Sequence, residues 1–246
     1  MENRTDKNSY TLIFAIGMVI VVGSLLAFTA SSLKPLITKN KQLEKQQNIL
    51  YAMGVNNNTE TSAVFVSTDE APVKFNEFIK QQLVIEGDKV SEDTEAYLID
   101  VKKEQAKAKD GQVRRLPLFV GEKEGEKFYI VPIRGKGLWD AVWAYIAMDK
   151  DMVIQGAYFD HKGETAGLGA NIKERYFMDD FIGEHLMNNG QFKGVAISKS
   201  NADPLNKDKT DNEVDAIAGA TITGDGVAAM IKSELRKYVP YFKTLN

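Results

Sequence analysis

The segment LPLFVGEKEGEKFYIVPI, residues 116–133, determines the predicted fold of this chain. Two apolar runs, 116–120 and 127–133, flank the polar turn 121–126, which contains two glycines. Apolar runs of this length around a short glycine-containing turn are typical of a β-hairpin. The chain is therefore expected to form antiparallel strands here.

Two further strands are predicted at 143–148 and 152–159, joined by the turn 149–151. Val195–Ser198 is a candidate for another strand. Short strands at this spacing indicate an antiparallel sheet. A helix is predicted from about Gly224 to Tyr238, because its apolar residues recur at helical spacing and define one buried face: Val227, Met230, Ile231, Leu235 and Tyr238.

The N-terminal part contains the sequence YTLIFAIGMVIVVGSLLAFTA, residues 10–30, inside an uncharged stretch from Asn8 to Leu33. About 20 apolar residues in a helix are enough to cross the hydrocarbon layer of a membrane. A cleaved signal peptide is the alternative, with Ala30–Ser32 as its cleavage site. The apolar core of a signal peptide usually has about 7–15 residues, which favours an uncleaved anchor.

Two helices are predicted between the anchor and the hairpin, at 34–55 and 73–84. The predicted fold class is therefore α+β: one N-terminal transmembrane helix, then a mostly antiparallel sheet domain with packed helices. The predicted organisation has four parts, namely a tail at 1–9, a transmembrane helix at 10–33, a juxtamembrane helix with the first part of the soluble domain at 34–115, and the remaining domain at 116–246.

Composition excludes several kinds of site. The 246 residues carry a net charge of -3 and include no cysteine. A nucleic-acid-binding face would need a concentration of basic residues, and iron–sulfur clusters or Cys-ligated zinc would need thiolates. The two histidines, His161 and His185, are far apart in the sequence, so no metal site is predicted.

Three glycine-containing loops are the candidate sites: GKGLW at 135–139, HKGETAGLGA at 161–170 and DAIAGATITG at 215–224. The second does not match a P-loop, which needs Gly-Lys-Ser/Thr after its glycines, and a tight strand–helix connection is its alternative interpretation. In the first, Trp139 either stacks on a planar ligand or fills the core.

The third loop leads into the last predicted helix. Free N–H groups and the helix dipole make such a position suitable for a phosphate, and Thr221 and Thr223 place hydroxyls there. Helix capping by a threonine is the alternative. A threonine is a weak nucleophile unless another group activates it, so this pattern alone predicts an anion site and no catalytic residue.

The three loops, in this order behind one anchor, resemble the FMN-binding domain family, which includes the flavin subunits of Na+-translocating NADH:quinone reductases and of RNF complexes. The motifs that carry the resemblance are GKGLW (135–139), HKGETAGLG (161–169) and DAIAGAT (215–221). The resemblance implies that FMN is bound covalently, through a phosphoester to Thr221 that a separate flavin transferase forms. The family also implies that Glu164, Thr165, Gly167, Leu168 and Gly169 lie against the flavin. The remaining predicted cofactor-binding residues come from the other two loops: Asp215, Gly219, Ala220, Thr223, Leu138 and Trp139.

This sequence departs from the family pattern at two positions. Ala218 stands where the attachment motif usually has Ser or Thr, and Ala166 stands where proline is common. The first departure bears on recognition by the transferase. The second removes a restriction on the unfolded chain. The acceptor Thr221 is retained. If Glu164 is ionised near the flavin ring, it should lower the flavin potential.

The expected function is electron relay within a membrane complex that oxidises NADH, reduces ubiquinone and pumps sodium. No strand–GxGxxG–helix fingerprint for NADH is present, and a single uncharged span offers no ion path, so other subunits of the complex are the expected partners. The RNF subunit and a non-redox anchored domain are the alternatives. The basic residues after the span (Lys34, Lys39, Lys41 and Lys45) outnumber those before it (Arg4 and Lys7), which by itself favours a cytoplasmic domain. The resemblance implies the periplasmic side of the bacterial inner membrane.

Overall fold

A single helix, α1, spans Asn8–Ala52 in the computed structural model, which describes residues 8–199, 203 and 205–245. Its N-terminal part has a mean hydropathy of 2.6 and is long and apolar enough to cross a membrane. The helix predicted at 34–55 is the continuation of this element. Residues 1–7 of the predicted tail, with Arg4 and Lys7, lie outside the described residues.

The chain divides into two compact units, Met1–Gln42 and Leu43–Asn246. The predicted domain boundary at 115/116 falls within the second unit, which contains every element after α1. The remaining helices of the second unit are α2 (Ala71–Phe78), α3 (Val101–Lys109), α4 (Arg175–Asp180), α5 (Thr221–Leu235) and α6 (Val239–Phe242). Its strands are β1 (Ile79–Glu86), β2 (Lys89–Glu92), β3 (Arg115–Lys123), β4 (Glu126–Lys136), β5 (Ala141–Met148), β6 (Ile154–His161), β7 (Met187–Asn188), β8 (Gln191–Phe192), β9 (Ala196–Ser198) and β10 (Glu213–Asp215).

Six of these strands form one antiparallel sheet in the order β2-β1-β3-β4-β5-β6. The predicted hairpin at 116–133 is confirmed as β3 and β4, and the two strands predicted after it are confirmed as β5 and β6. The α+β fold class, with one long apolar helix before an antiparallel sheet domain, is also confirmed.

The two faces of the sheet pack against different helices. Gly135 lies on one face, where a Cβ atom would clash with the side chain of Met230 in α5. Gly156 lies on the opposite face, against the carbonyl oxygen of Ala52 at the end of α1. The core therefore has three layers: the last turns of α1, the sheet, and α5. Because α5 begins at Thr221, this packing also fixes the position of the third glycine loop.

The helix predicted at 73–84 is wrong in its second half. The observed helix α2 ends at Phe78, and the chain continues as β1 from Ile79 to Glu86. Strand β1 pairs with β3, with Leu83 opposite Leu118. This partner is distant in sequence, so the short apolar run 83–85 does not reveal it, because strand formation depends strongly on tertiary neighbours. Strand β2 and helix α3 are elements that the sequence pattern does not predict.

The strand predicted at 195–198 is present as β9, but it is not part of the large sheet. It pairs in parallel with β10, with Ser198 opposite Asp215. The predicted final helix starts three residues earlier than expected, at Thr221, and its last turn at Arg236–Tyr238 is a 3₁₀ helix.

Candidate functional site

The three glycine-containing loops meet at one cleft of about 200 Å³, which is open to solvent. The first loop ends β4, the second follows β6, and the third precedes α5. Segments that are distant in sequence thus form one site. The cleft is lined by ten residues from these loops: Leu138, Glu164, Thr165, Leu168, Gly169, Gly219, Ala220, Thr221, Ile222 and Thr223.

The N-terminus of α5 faces this cleft without a side-chain cap. Ala220 is the residue before the helix and has no polar side-chain atom, and Gly224 N donates the first helical hydrogen bond to the Ala220 carbonyl. Gly219 adopts φ +74°, a left-handed conformation that suits glycine. The predicted alternative of threonine capping is wrong, because Thr221 is the first residue of the helix and neither threonine caps it. The N–H groups of the first turn are therefore suited to an anion.

The two threonines of α5 have different environments. Thr223 is 1% exposed, and its hydroxyl donates a 2.6 Å hydrogen bond to Glu164 Oε2. Thr221 is partly exposed and lines the cleft. In the part of the chain that the structure describes, the Thr221 hydroxyl forms no hydrogen bond. The two hydroxyls, which both belong to residues lining the cleft, therefore differ in exposure and in hydrogen bonding.

Glu164 connects the three loops through its buried carboxylate. Its Oε1 accepts a 3.0 Å hydrogen bond from the Trp139 backbone N–H, and its Oε2 accepts the hydrogen bond from Thr223. Burial alone would raise the pKa of Glu164. Hydrogen bonds from Thr223 and from the backbone N–H groups of Trp139, Asp140 and Leu138 outweigh burial and hold the pKa below its ordinary value. Glu164 is therefore an ionised group at neutral pH.

Two glycines allow the loops to approach this carboxylate. A Cβ atom at Gly137 would lie 2.5 Å from Glu164 Oε1, and one at Gly169 would clash with the Thr223 hydroxyl and with Glu164 Oε2. Any larger residue at either position would displace the carboxylate. Close packing against the carboxylate therefore explains both glycines.

His161 supports the same loop from its first residue. Its Nδ1 accepts a 3.1 Å hydrogen bond from the Glu164 backbone N–H, which ties the first residue of the loop to its fourth. His185 lies elsewhere, bridged to Val153. Among residues 8–199, 203 and 205–245, no group of three or more His, Asp or Glu side chains is arranged to hold a metal ion.

Trp139 lies beside the cleft and is 68% exposed. Its indole Nε1 donates a 3.1 Å hydrogen bond to the Thr165 hydroxyl, and its backbone N–H is held by Glu164. The alternative that Trp139 fills the core is therefore wrong. Two hydrogen bonds hold an exposed aromatic ring next to an apolar cleft, as stacking on a planar ligand requires.

Nine of the twelve residues predicted to bind a cofactor line the cleft. Of the other three, Trp139 lies beside it, Gly167 is in the loop between Thr165 and Leu168, and Asp215 is at the end of β10. Ile222 is not among the predicted residues, although it lines the cleft and is 57% exposed. The sequence could have indicated Ile222, because it is an apolar residue off the buried face of the predicted helix and therefore cannot pack into the core.

Comparison with known proteins supports the interpretation of this cleft. The family model described as "FMN-binding domain" matches residues 137–236, which include all three parts of the cleft. The C subunit of the Na(+)-translocating NADH-quinone reductase of Haemophilus ducreyi is 28% identical over 230 residues, covering 90% of this chain and 87% of that protein. The corresponding C subunit of Pseudomonas aeruginosa is 28% identical over 243 residues, covering 94% of this chain and 93% of that protein.

A solved structure shows the same fold. The crystal structure of the Na(+)-translocating NADH-quinone reductase C subunit from Parabacteroides distasonis matches with a TM-score of 0.72 at 34% sequence identity. The match covers 87% of this chain and 98% of that protein. The similarity therefore extends over nearly the whole of the solved relative, as well as over the cleft.

Proposed function

This chain belongs to the family of C subunits of the Na+-translocating NADH-quinone reductases, and from that premise we propose that it relays electrons through FMN esterified to Thr221. Members of this family are subunits of an oxidoreductase complex. FMN supplies reversible electron transfer. The polypeptide holds the cofactor, orients it and sets its electrostatic surroundings.

The observation that carries this proposal is the environment of the Thr221 hydroxyl. It opens a 15-residue helix behind Ala220, in a cleft where the N–H groups of the first turn have no side-chain cap. A phosphate esterified to this hydroxyl would lie at the positive end of the helix dipole, where phosphates are commonly bound. Thr223 is buried and engaged with Glu164, which leaves Thr221 as the acceptor.

The attachment is a phosphoryl-group transfer without a redox change. The Thr221 oxygen attacks the phosphorus of a flavin phosphoanhydride such as FAD. The Oγ–P bond forms, the anhydride P–O bond breaks, AMP leaves, and the hydroxyl proton passes to a base. The first turn of α5 offers N–H donors and a positive dipole to the charge on the phosphate. A threonine hydroxyl is a weak nucleophile unless another group activates it, so the proposal assigns the catalysis to a separate flavin transferase.

The apolar surface around Thr221 suits the flat ring of a flavin. Leu138, Leu168 and Ile222 line the cleft, and the exposed ring of Trp139 is held beside it. A volume of about 200 Å³ is smaller than the roughly 300–1,000 Å³ of pockets that enclose a whole ligand. A flavin attached here would remain partly accessible, as an electron carrier must be to its donor and acceptor.

The proposal extends to the complex and its membrane. The apolar part of α1 crosses the bacterial inner membrane once and anchors the domain on the periplasmic side, where the transferase acts. NADH oxidation, ubiquinone reduction and the sodium path belong to partner subunits, since a single span without charged residues offers no ion route. Protease treatment of spheroplasts and of inverted vesicles tests this orientation: cleavage of the domain in inverted vesicles alone would contradict it.

Fluorescence after denaturing electrophoresis tests the covalent link. The chain co-expressed with a flavin transferase is expected to give a flavin-fluorescent band, which Thr221→Ser retains in part and Thr221→Ala loses. Thr244→Ala is the matched control, because that hydroxyl lies in the C-terminal turn and donates to Tyr241 O. An unmodified mass for the peptide from Asp215 to Lys232 in the native protein would overturn the proposal, and would leave a non-redox anchored domain as the interpretation.

A further inference from the structure

Asp180, the last residue of α4, holds the beginning of the third glycine loop. Its Oδ2 accepts a 2.9 Å hydrogen bond from the backbone N–H of Asp215, the first residue of DAIAGAT. Its backbone carbonyl accepts hydrogen bonds from Asn206 Nδ2 at 2.7 Å and from Lys209 Nζ at 2.9 Å. One residue therefore contacts both ends of the segment 206–215.

The contact with Asp215 takes the place of a neighbouring strand. Strand β10 has three residues and pairs with β9 along one edge, and just beyond the strand Ala216 N donates to the Ser198 carbonyl. The Asp215 N–H is instead satisfied by the Asp180 carboxylate. A hydrogen bond to a charged acceptor is stronger than one between neutral groups, so this contact is a strong constraint on a very short strand.

Asp180 also joins the two walls of the cleft. From the second glycine loop, the chain passes through the 3₁₀ turn Gly169–Lys173 directly into α4, which ends at Asp180. The third loop starts at the residue that Asp180 holds. The two loops meet again at the cleft, where Leu168 Cδ2 is so close to Gly219 that a Cβ atom there would lie 2.9 Å away. The second loop is therefore connected to the third through the 3₁₀ turn, α4 and the hydrogen bond between Asp180 and Asp215.

We propose that Asp180 is a positioning residue for flavin attachment: by fixing Asp215, it sets the conformation of the loop that presents the Thr221 hydroxyl. The segment from Asp215 to Thr221 includes a turn in which Ala220 N donates to the Ile217 carbonyl and Gly219 adopts a left-handed conformation. This turn defines the position of Thr221 only when its starting point is fixed. The inference rests on the proposed function, because it assigns Asp180 a role in the esterification of Thr221.

Two measurements on Asp180→Ala and Asp180→Asn test the role. The first is amide hydrogen exchange of residues 213–221 in the full-length protein before flavin attachment. The second is the rate of appearance of the fluorescent band when the purified chain is incubated with flavin transferase and FAD. Asp180→Ala is expected to increase exchange and to slow attachment, each by about tenfold or more, the effect of losing one hydrogen bond to a charged group. Asp180→Asn keeps a neutral acceptor oxygen, so its exchange and its attachment rate should both lie between those of Asp180→Ala and the wild type.

The matched control is Asp100→Ala. Asp100 also accepts hydrogen bonds from backbone N–H groups, those of Lys102 and Lys103, but at the start of α3. It should lower thermal stability to a similar degree and leave both readouts unchanged. If Asp100→Ala slows attachment as much as Asp180→Ala, or if exchange of 213–221 is unchanged in Asp180→Ala, the positioning role is wrong. If the wild-type chain is not flavinylated, the proposed function fails, and the exchange measurement still decides whether Asp180 fixes the loop.

Discussion

Thr223 Oγ1 and Glu164 Oε2 form a 2.6 Å hydrogen bond that links the start of the last helix to the second glycine loop, across 59 residues of sequence. Both side chains are buried, with exposed fractions of 1% and 7%. The same carboxylate holds the Trp139 backbone N–H. The cleft is therefore preformed by the protein's own contacts, so that binding of a cofactor need not organise it.

Removal of the Thr223 hydroxyl should destabilise the domain. Thr223→Val preserves the shape of the side chain but leaves Glu164 Oε2 without this donor in a buried position. The cost of such a loss is about 1–3 kcal/mol. Urea unfolding should show this decrease in Thr223→Val, whereas Thr223→Ser, which keeps the hydroxyl, should lie within about 1 kcal/mol of the wild type. Equal stability of the valine and serine variants would show that this hydrogen bond contributes nothing.

Gly137→Ala should disturb the same carboxylate from the opposite side. The added methyl group would lie 2.5 Å from Glu164 Oε1, so either Glu164 or the loop must move. Strain of this kind typically costs about 1–3 kcal/mol. Gly163→Ala is the control, because the methyl group added there would meet no neighbouring atom within 4 Å. Urea unfolding should separate the two variants, and a Gly137→Ala protein as stable as Gly163→Ala would contradict the packing described.

The fold is largely predictable from local pattern, and the site only in part. The strands 116–120 and 127–133 are adjacent in sequence and joined by a short turn, so their pairing follows from the pattern itself. The segment of strand β1 is predicted as the end of a helix, because the strand it pairs with, β3, is distant in sequence; Leu83 lies opposite Leu118. The role of Asp180 is hidden for the same reason, since nothing in the sequence RYFMDD links it to Asp215. The three loops are recognisable as motifs, but their convergence on Glu164 is visible only in the structure.

The stabilising effect of Glu164 should depend on pH. Its pKa is lower in the folded protein than its ordinary value of 4.5, because hydrogen bonds to the carboxylate outweigh the effect of burial. The stability gained is therefore fully present above pH 4.5 and is lost as the pH falls through the lower, folded-state pKa. Urea unfolding of wild type and Glu164→Gln should differ by about 1–3 kcal/mol at about pH 7, and the difference should shrink as the solution is acidified.

The control for this experiment is Glu126→Gln, which changes an exposed residue at the start of β4. Its stability should follow that of the wild type at both neutral and acidic pH. A difference between wild type and Glu164→Gln that grows as the pH falls would have the wrong sign, and would show that the carboxylate is not held ionised by its donors.

Glu164 should also influence the potential of a flavin attached to Thr221. An ionised carboxylate disfavours the addition of negative charge nearby, so it should lower the flavin potential. Glu164→Gln is expected to raise it, as measured by spectroelectrochemical titration of the flavinylated chain. Glu126→Gln should leave the potential unchanged. No difference between wild type and Glu164→Gln would mean that the donors around Glu164 already neutralise its effect on the ring.

Glu184 should show the opposite dependence on pH from Glu164. Its side chain is fully buried, and burial raises its pKa to about 7. Asn206 and Lys209 lower the pKa and partly offset burial, whereas the nearby carboxylates of Asp211 and Asp180 raise it further. Because the folded-state pKa exceeds the ordinary 4.5, stability is greatest below pH 4.5 and is lost as the pH rises through about 7. The carboxylate of Glu184 therefore destabilises the folded domain under alkaline conditions.

Glu184→Gln removes this buried charge, so the variant should be more stable than the wild type at about pH 8, by about 1–3 kcal/mol. The two proteins should be nearly equal at about pH 4, where Glu184 is protonated in the folded protein and largely so in the unfolded chain. Urea unfolding measures both differences, with the exposed Glu213→Gln as the control. A Glu184→Gln variant that is less stable than the wild type at the alkaline pH would instead show that the ion pair with Lys209, 3.8 Å away, outweighs the cost of burying the carboxylate.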